Sequence, residues 1–68
     1  MKISGKIKWY KKEKGYGYIT GLDGDTYYFE ISNCLNKKEE FKEGDTVLFI
    51  PNFDDIDYAT NVEKVGEV

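Results

Sequence analysis

The sequence predicts a small all-β protein of five short strands, and three observations carry that expectation. Aromatic and β-branched residues recur in short alternating runs, as half-buried strands require. Turn residues, chiefly glycine, aspartate and lysine, break those runs at close intervals. No repeat, low-complexity tract or linker interrupts the pattern.

Each element follows in order. Ile3 to Tyr10 alternates Ile3, Gly5, Ile7 and Trp9 with Ser4, Lys6, Lys8 and Tyr10, and reads as the first strand. Lys11-Lys12-Glu13-Lys14-Gly15 is a polar turn, and Tyr16 to Thr20 the second strand. Gly21-Leu22-Asp23-Gly24-Asp25 is a hairpin signal leading into a third strand, Thr26 to Ile31. Ser32 to Gly44 is the least strand-like segment, a polar loop with room for one helical turn. Thr46 to Ile50 reads as the fourth strand, ended by Pro51, which cannot donate into a ladder. Asn52 to Asp57 is an acidic loop, and Tyr58 to Val65 the fifth strand. Five strands in this length fit a closed antiparallel barrel of the oligonucleotide-binding (OB) type. An SH3-like barrel fits the same pattern.

Length points to one domain over residues 1–68 and favours binding over catalysis. A chain this short buries only ~60% of the surface its unfolded form exposes. A catalytic cleft of roughly 300–1,000 Å³ is hard to carve from such a core. Histidine is absent, which removes the commonest general base and metal ligand. The one cysteine, Cys34, has no partner for an intramolecular disulfide and reads as a small buried apolar residue. No cofactor is expected. Neither a signal-peptide-like apolar stretch nor a membrane span is visible, so the expectation is a cytoplasmic, monomeric protein with no membrane partner.

The net charge of −3 conceals an asymmetry. Residues 1–20 carry six lysines (Lys2, Lys6, Lys8, Lys11, Lys12 and Lys14) against Glu13 alone, giving +5, whereas residues 21–68 sum to −8. A local positive face on an acidic molecule is the expected result. All ten basic residues are lysine, so the bidentate arginine fork that reads guanine in duplex DNA is missing.

Eleven aromatics are more than a core of this size hides. With a period of two, Tyr16 and Tyr18 share one face of the second strand while Gly17 and Ile19 point the other way. In the third strand Tyr28 and Glu30 share a face, opposite Tyr27, Phe29 and Ile31. If the two strands pair as a hairpin, Tyr16, Tyr18 and Tyr28 form one platform beside the lysines of the first. Bases stack on such platforms while lysines follow the phosphates, which makes single-stranded RNA or DNA the expected partner. Tyr27, Phe29 and Phe49 read as core. Periodicity puts Trp9 inside with Ile3 and Ile7, unless a bulge turns it out.

These residues also carry a resemblance. Gly5-Lys6-Ile7-Lys8-Trp9-Tyr10 followed by Glu13-Lys14-Gly15-Tyr16-Gly17-Tyr18-Ile19 resembles the opening of the bacterial cold-shock proteins. The family's first ribonucleoprotein motif, K-G-[FY]-G-[FY]-I, falls on Lys14 to Ile19, and its second, V-F-V-H-F, on Tyr27 to Ile31. Glu43-Gly44-Asp45, Val47, Phe49 and Asn61-Val62 extend the match over nearly the whole chain. The resemblance implies a five-stranded barrel, sequence-tolerant binding of single strands and RNA-chaperone activity. It also implies that Lys8, Trp9, Tyr16, Tyr18 and Tyr28 are contacts, with Trp9 exposed. Lys6 and Lys14 complete the expected phosphate contacts.

The departures are specific. The histidine of the second motif is Glu30 here, facing the expected path of the strand, and the aromatic after it is Ile31. Asn36-Lys37-Lys38-Glu39-Glu40 has no stacking aromatic before Phe41, which reads as core. Asp54-Asp55-Ile56-Asp57 replaces a glycine- and proline-bearing loop. A shorter footprint and weaker binding than the family norm are expected. Two rivals remain: a protein-interaction barrel whose nucleic-acid face has partly decayed, and a metal-dependent nuclease built on Asp54, Asp55 and Asp57.

Overall fold

The computed structural model describes residues 1–65. Its strands are β1 (Ile3–Lys11), β2 (Tyr16–Gly21), β3 (Thr26–Glu30), β4 (Thr46–Phe53) and β5 (Asp57–Lys64). They close into a barrel in the order β1-β2-β3-β5-β4. Strand β1 is shared: Gly5 to Lys11 pairs with β2, and Ile3 to Lys6 pairs with β4. Closure is completed by a parallel contact of β3 with β5, where Tyr28 faces Tyr58.

Inward residues of every strand meet in one core. Ile7, Ile19, Tyr27, Phe29, Val47, Phe49, Ala59 and Val62 are almost fully excluded from solvent, and Cys34 and Phe41 join them. Burial pushes the Cys34 thiol up to about 11, so it stays protonated and behaves as an apolar filler. Tyr27 is wholly buried yet satisfied, because its hydroxyl donates to Asp23 Oδ2 at 2.6 Å.

Every strand differs from the sequence reading at one end or both; β1 and β2 each run one residue further, to Lys11 and Gly21. Strand β4 does not stop at Pro51 but runs on to Phe53, with Pro51 opposite Ala59. Beyond Phe49, β4 has only β5 beside it, so a missing donor leaves no second ladder short. Strand β3 ends at Glu30, and Ile31–Asn33 forms a turn of 3-10 helix. The Ile31 amide donates to the Gly15 carbonyl at 2.8 Å, and its side chain packs against the core. Strand β5 begins one residue earlier than expected, at Asp57, and ends at Lys64.

The consequential difference lies in β1. Ile7 pairs with Ile19 but Trp9 pairs with Tyr18, so Lys8 is an extra residue without a partner on β2. This bulge exchanges the faces of everything after it. Trp9 turns outward. Tyr10, which simple alternation puts outside with Lys6 and Lys8, turns inward and packs against the core. Its ring stacks on Phe29 with centroids 5.7 Å apart and planes at 15°. Phe41 closes the same group edge-on, 5.5 Å from Tyr10.

Gly17 makes this possible. It lies between Tyr10 and Phe29 in the ladder, so its missing side chain leaves the gap across which the two rings stack. A Cβ at Gly17 would sit 2.9 Å from the Tyr10 Cα and 3.1 Å from the Phe29 ring, and would collide with the Trp9 carbonyl. Its role is therefore on the inner side of β2.

Candidate nucleic-acid interface

The outer faces of β1, β2 and β3 form one surface. Along β2, Tyr16 and Tyr18 stand half-buried, with Gly17 and Ile19 turned into the core. Register sets Tyr16 opposite Glu30, Tyr18 opposite Tyr28 on one side, and Tyr18 opposite Trp9 on the other. Four rings result in contiguous contact. Trp9 meets Tyr18 at 5.1 Å and Tyr16 at 5.6 Å, both edge-on. Tyr28 lies 5.9 Å from Tyr16 and 5.7 Å from Tyr18. Edge-to-face contacts stiffen the group while leaving ring faces available for stacking.

Cations frame the rings. Lys6 is exposed opposite Thr20, one pleat beyond the Trp9–Tyr18 pair. Lys8 is exposed at the bulge, and Lys14 is exposed in the β1–β2 turn beside Tyr16. Lys11, which the sequence reading did not single out, holds its ammonium 5.9 Å from the centre of the Trp9 ring, a cation–π contact. Alternation already sets Lys11 on the face of Trp9, but strict alternation from Ile3 turns that face inward; the bulge turns both residues outward together. Among the described residues Lys6, Lys8, Lys11 and Lys14 form no ion pair, whereas Lys2, Lys12 and Lys64 are engaged by Glu63, Glu40 and the Glu39–Asp45 pair.

Glu30 is exposed on this surface and pairs with no lysine among the described residues. Its Oε2 accepts from the Tyr28 hydroxyl at 2.6 Å, and its Oε1 from Ser32 Oγ at 3.4 Å. The bond to Glu30, together with burial, pushes the Tyr28 phenol up to about 12, so it remains a donor across the physiological range. Tyr58, also missed in the sequence, lies next to Tyr28 across the parallel contact and donates to Asp54 Oδ2 at 3.3 Å. Its signal was the aromatic at the start of β5, uninterpretable until β3 and β5 were known to be neighbours.

The acidic β4–β5 turn does not form a metal centre. Asp54 receives the Tyr58 hydroxyl, while Asp57 turns to Asp25. No grouping of His, Cys, Asp and Glu among the described residues could hold a metal ion. No helix among those residues is long and apolar enough to cross a membrane.

A closed five-stranded barrel bearing aromatics and unpaired cations on one sheet belongs to the OB-fold class of nucleic-acid-binding proteins. Residues 3–65 match the family model described as the 'Cold-shock' DNA-binding domain, and the chain belongs to the cold-shock domain family. It is 45% identical over 47 residues to cold shock protein 1 of Lactiplantibacillus plantarum, covering 68% of this chain and 71% of that protein. Cold shock-like protein CspC of Shigella flexneri is 36% identical over 50 residues, covering 71% and 72%. Cold shock protein CapA of Pseudomonas fragi is 37% identical over 49 residues, covering 69% and 77%. Among solved structures, drosophila Unr CSD456 aligns with a TM-score of 0.81 over 97% of this chain and 27% of that one. At 18% sequence identity that likeness speaks for the fold, and it sets aside the SH3-like alternative.

Proposed function

We propose that this protein binds single-stranded RNA or DNA with little sequence preference, as a non-catalytic monomer that traps unpaired strands and so acts as an RNA chaperone. Bases stack on Trp9, Tyr16, Tyr18 and Tyr28, and phosphates follow Lys6, Lys8 and Lys14, with Lys11 added from the geometry. The observation that carries this reading is the row of four half-buried rings, each within 6 Å of another, beside lysines that no acid among the described residues neutralises. Each stacked base contributes ~1–3 kcal/mol in such sites, and any base can supply the π-face.

A chemical-shift map with a short oligothymidine tests it. Shifts concentrated on β1, β2 and β3 around the four rings are the expected outcome. The protein-interaction reading has one observation of its own: Phe53 and Ile56 are 62% and 58% exposed beside Asp54 and Asp55. No shift at any oligonucleotide concentration would favour that second reading.

A further inference from the structure

Glu30 is an acid set among the four rings, opposite Tyr16 and beside Tyr28, and it is held in place. A carboxylate on a stacking surface repels phosphate, yet this one is oriented by the 2.6 Å bond from Tyr28 and is opposed across the ladder by Tyr16. It borders an open hollow of about 470 Å³ whose other walls are Lys14, Gly15, Tyr16, Tyr28, Ile31 and Ser32. That hollow offers a ring to stack on, a cation for a phosphate, an apolar wall and a single strong acceptor. Tyr28 occupies one lone pair of Oε2, and the Ser32 contact on Oε1 is long, so the carboxylate keeps acceptor capacity facing the hollow.

The bases of a single strand expose their Watson–Crick edges, and a carboxylate accepts only. Guanine alone presents two adjacent donors there, N1–H and N2–H, which match the two oxygens of a carboxylate as a bidentate charge-assisted pair. Adenine and cytosine each present one amine beside a ring nitrogen whose lone pair faces the carboxylate. Thymine and uracil present one N3–H between two carbonyl oxygens. The acceptor at Glu30 therefore discriminates among bases that the tyrosine rings treat alike.

We infer that Glu30 is a specificity-determining residue that selects guanine at one position of the bound strand, with the base on Tyr16 or Tyr28 and a neighbouring phosphate at Lys14. This rests on the single-strand-binding reading and adds one selective position to an otherwise tolerant surface.

The test uses quenching of Trp9, the only tryptophan, by short oligothymidines in which one guanine is moved through each position in turn. In one register guanine should tighten binding about ten-fold, within the range of a bidentate base contact. Replacing that guanine by hypoxanthine, which lacks the N2 amine, should remove most of the gain. Glu30→Gln should abolish the guanine preference and tighten plain oligothymidine about two- to five-fold at low salt, because a repulsive charge is gone. The substitution thus has opposite signs on the two ligands, which a loss of folding cannot produce. If oligothymidine binds but no position favours guanine, or if the gain survives in Glu30→Gln, the inference fails and the binding reading stands. If no oligonucleotide binds at all, the binding reading fails and takes the inference with it.

Discussion

The surface of β1–β3 and the region around β4–β5 use the same residue types in opposite ways. On β1–β3, four aromatic rings stand outward in mutual contact, and Lys6, Lys8, Lys11 and Lys14 form no ion pair among the described residues. Around β4–β5, Phe49 is fully buried, and Lys64 is held by Glu39, Asp45 and the Glu40 carbonyl. Lys2 is likewise bound by Glu63. The molecule is acidic as a whole, at −3, but Glu39, Glu40, Asp45 and Glu63 pair with lysines, and Asp57 lies beside Asp25 and Asp23. Net charge therefore says little about which face meets phosphate; the placement of pairs within a few ångströms decides it.

The largest effect should come from breaking the device that separates the two aromatic sets. Gly17→Ala inserts a methyl against the backbone of Trp9 and Tyr10 and against the Phe29 ring. It should destabilise the fold by about 3 kcal/mol, the upper end for overpacking, because a backbone cannot yield as a side chain does. Denaturant unfolding measures this. A variant as stable as the parent would mean that the bulge does not hold Tyr10 inside.

Next in size is the contrast between exposed rings on the two regions. Tyr18→Ala should weaken binding of oligothymidine by about 1–3 kcal/mol while leaving the circular dichroism spectrum intact. Phe53→Ala removes a ring that is 62% exposed at the end of β4 and should leave affinity unchanged. Equal losses for both variants would erase the distinction between the regions.

Salt dependence gives a smaller, graded test of the cations. The slope of log affinity against log salt should be about −0.7 for each neutralised phosphate, hence roughly −1.5 to −3 for the few lysines available. Lys8→Gln should flatten it by about 0.7. Lys64→Gln should leave the slope alone, since that ammonium is already occupied within the protein.

The smallest effect concerns the acids. The hydrogen bond with Asp25, then burial and the charges of Asp25 and Asp23, hold the Asp57 carboxyl above its ordinary value of 3.8. A raised folded-state value means that the folded protein binds this proton more tightly than the unfolded chain does. The stabilisation is thus present below about pH 4 and is lost as pH rises through the raised value. At neutral pH the ionised group is a like-charge burden. Asp57→Asn should therefore raise Tm modestly at pH 7, with the advantage shrinking as pH falls towards 4. A gain that is constant with pH would locate its cause elsewhere than in this ionisation.

Much of the molecule is determined by the sequence alone. Alternation within each run defines the strands, since a half-buried strand must repeat every two residues. Tyr16 and Tyr18 necessarily share a face, as do Tyr28 and Glu30, so most of the aromatic row follows once β2 and β3 pair. What local pattern could not decide is everything that depends on a second strand being present. The Lys8 bulge reverses the faces of Trp9, Tyr10 and Lys11 because an unpaired residue costs nothing in the sequence and shifts the whole register in the sheet. Pro51 stays within β4 because only one neighbour needs its ladder there. Tyr58 joins the row beside Tyr28 because closure of the barrel brings β3 and β5 together. Periodicity fixes which side chains travel together along one strand, but their neighbours across strands come from register, and register is a property of the folded sheet.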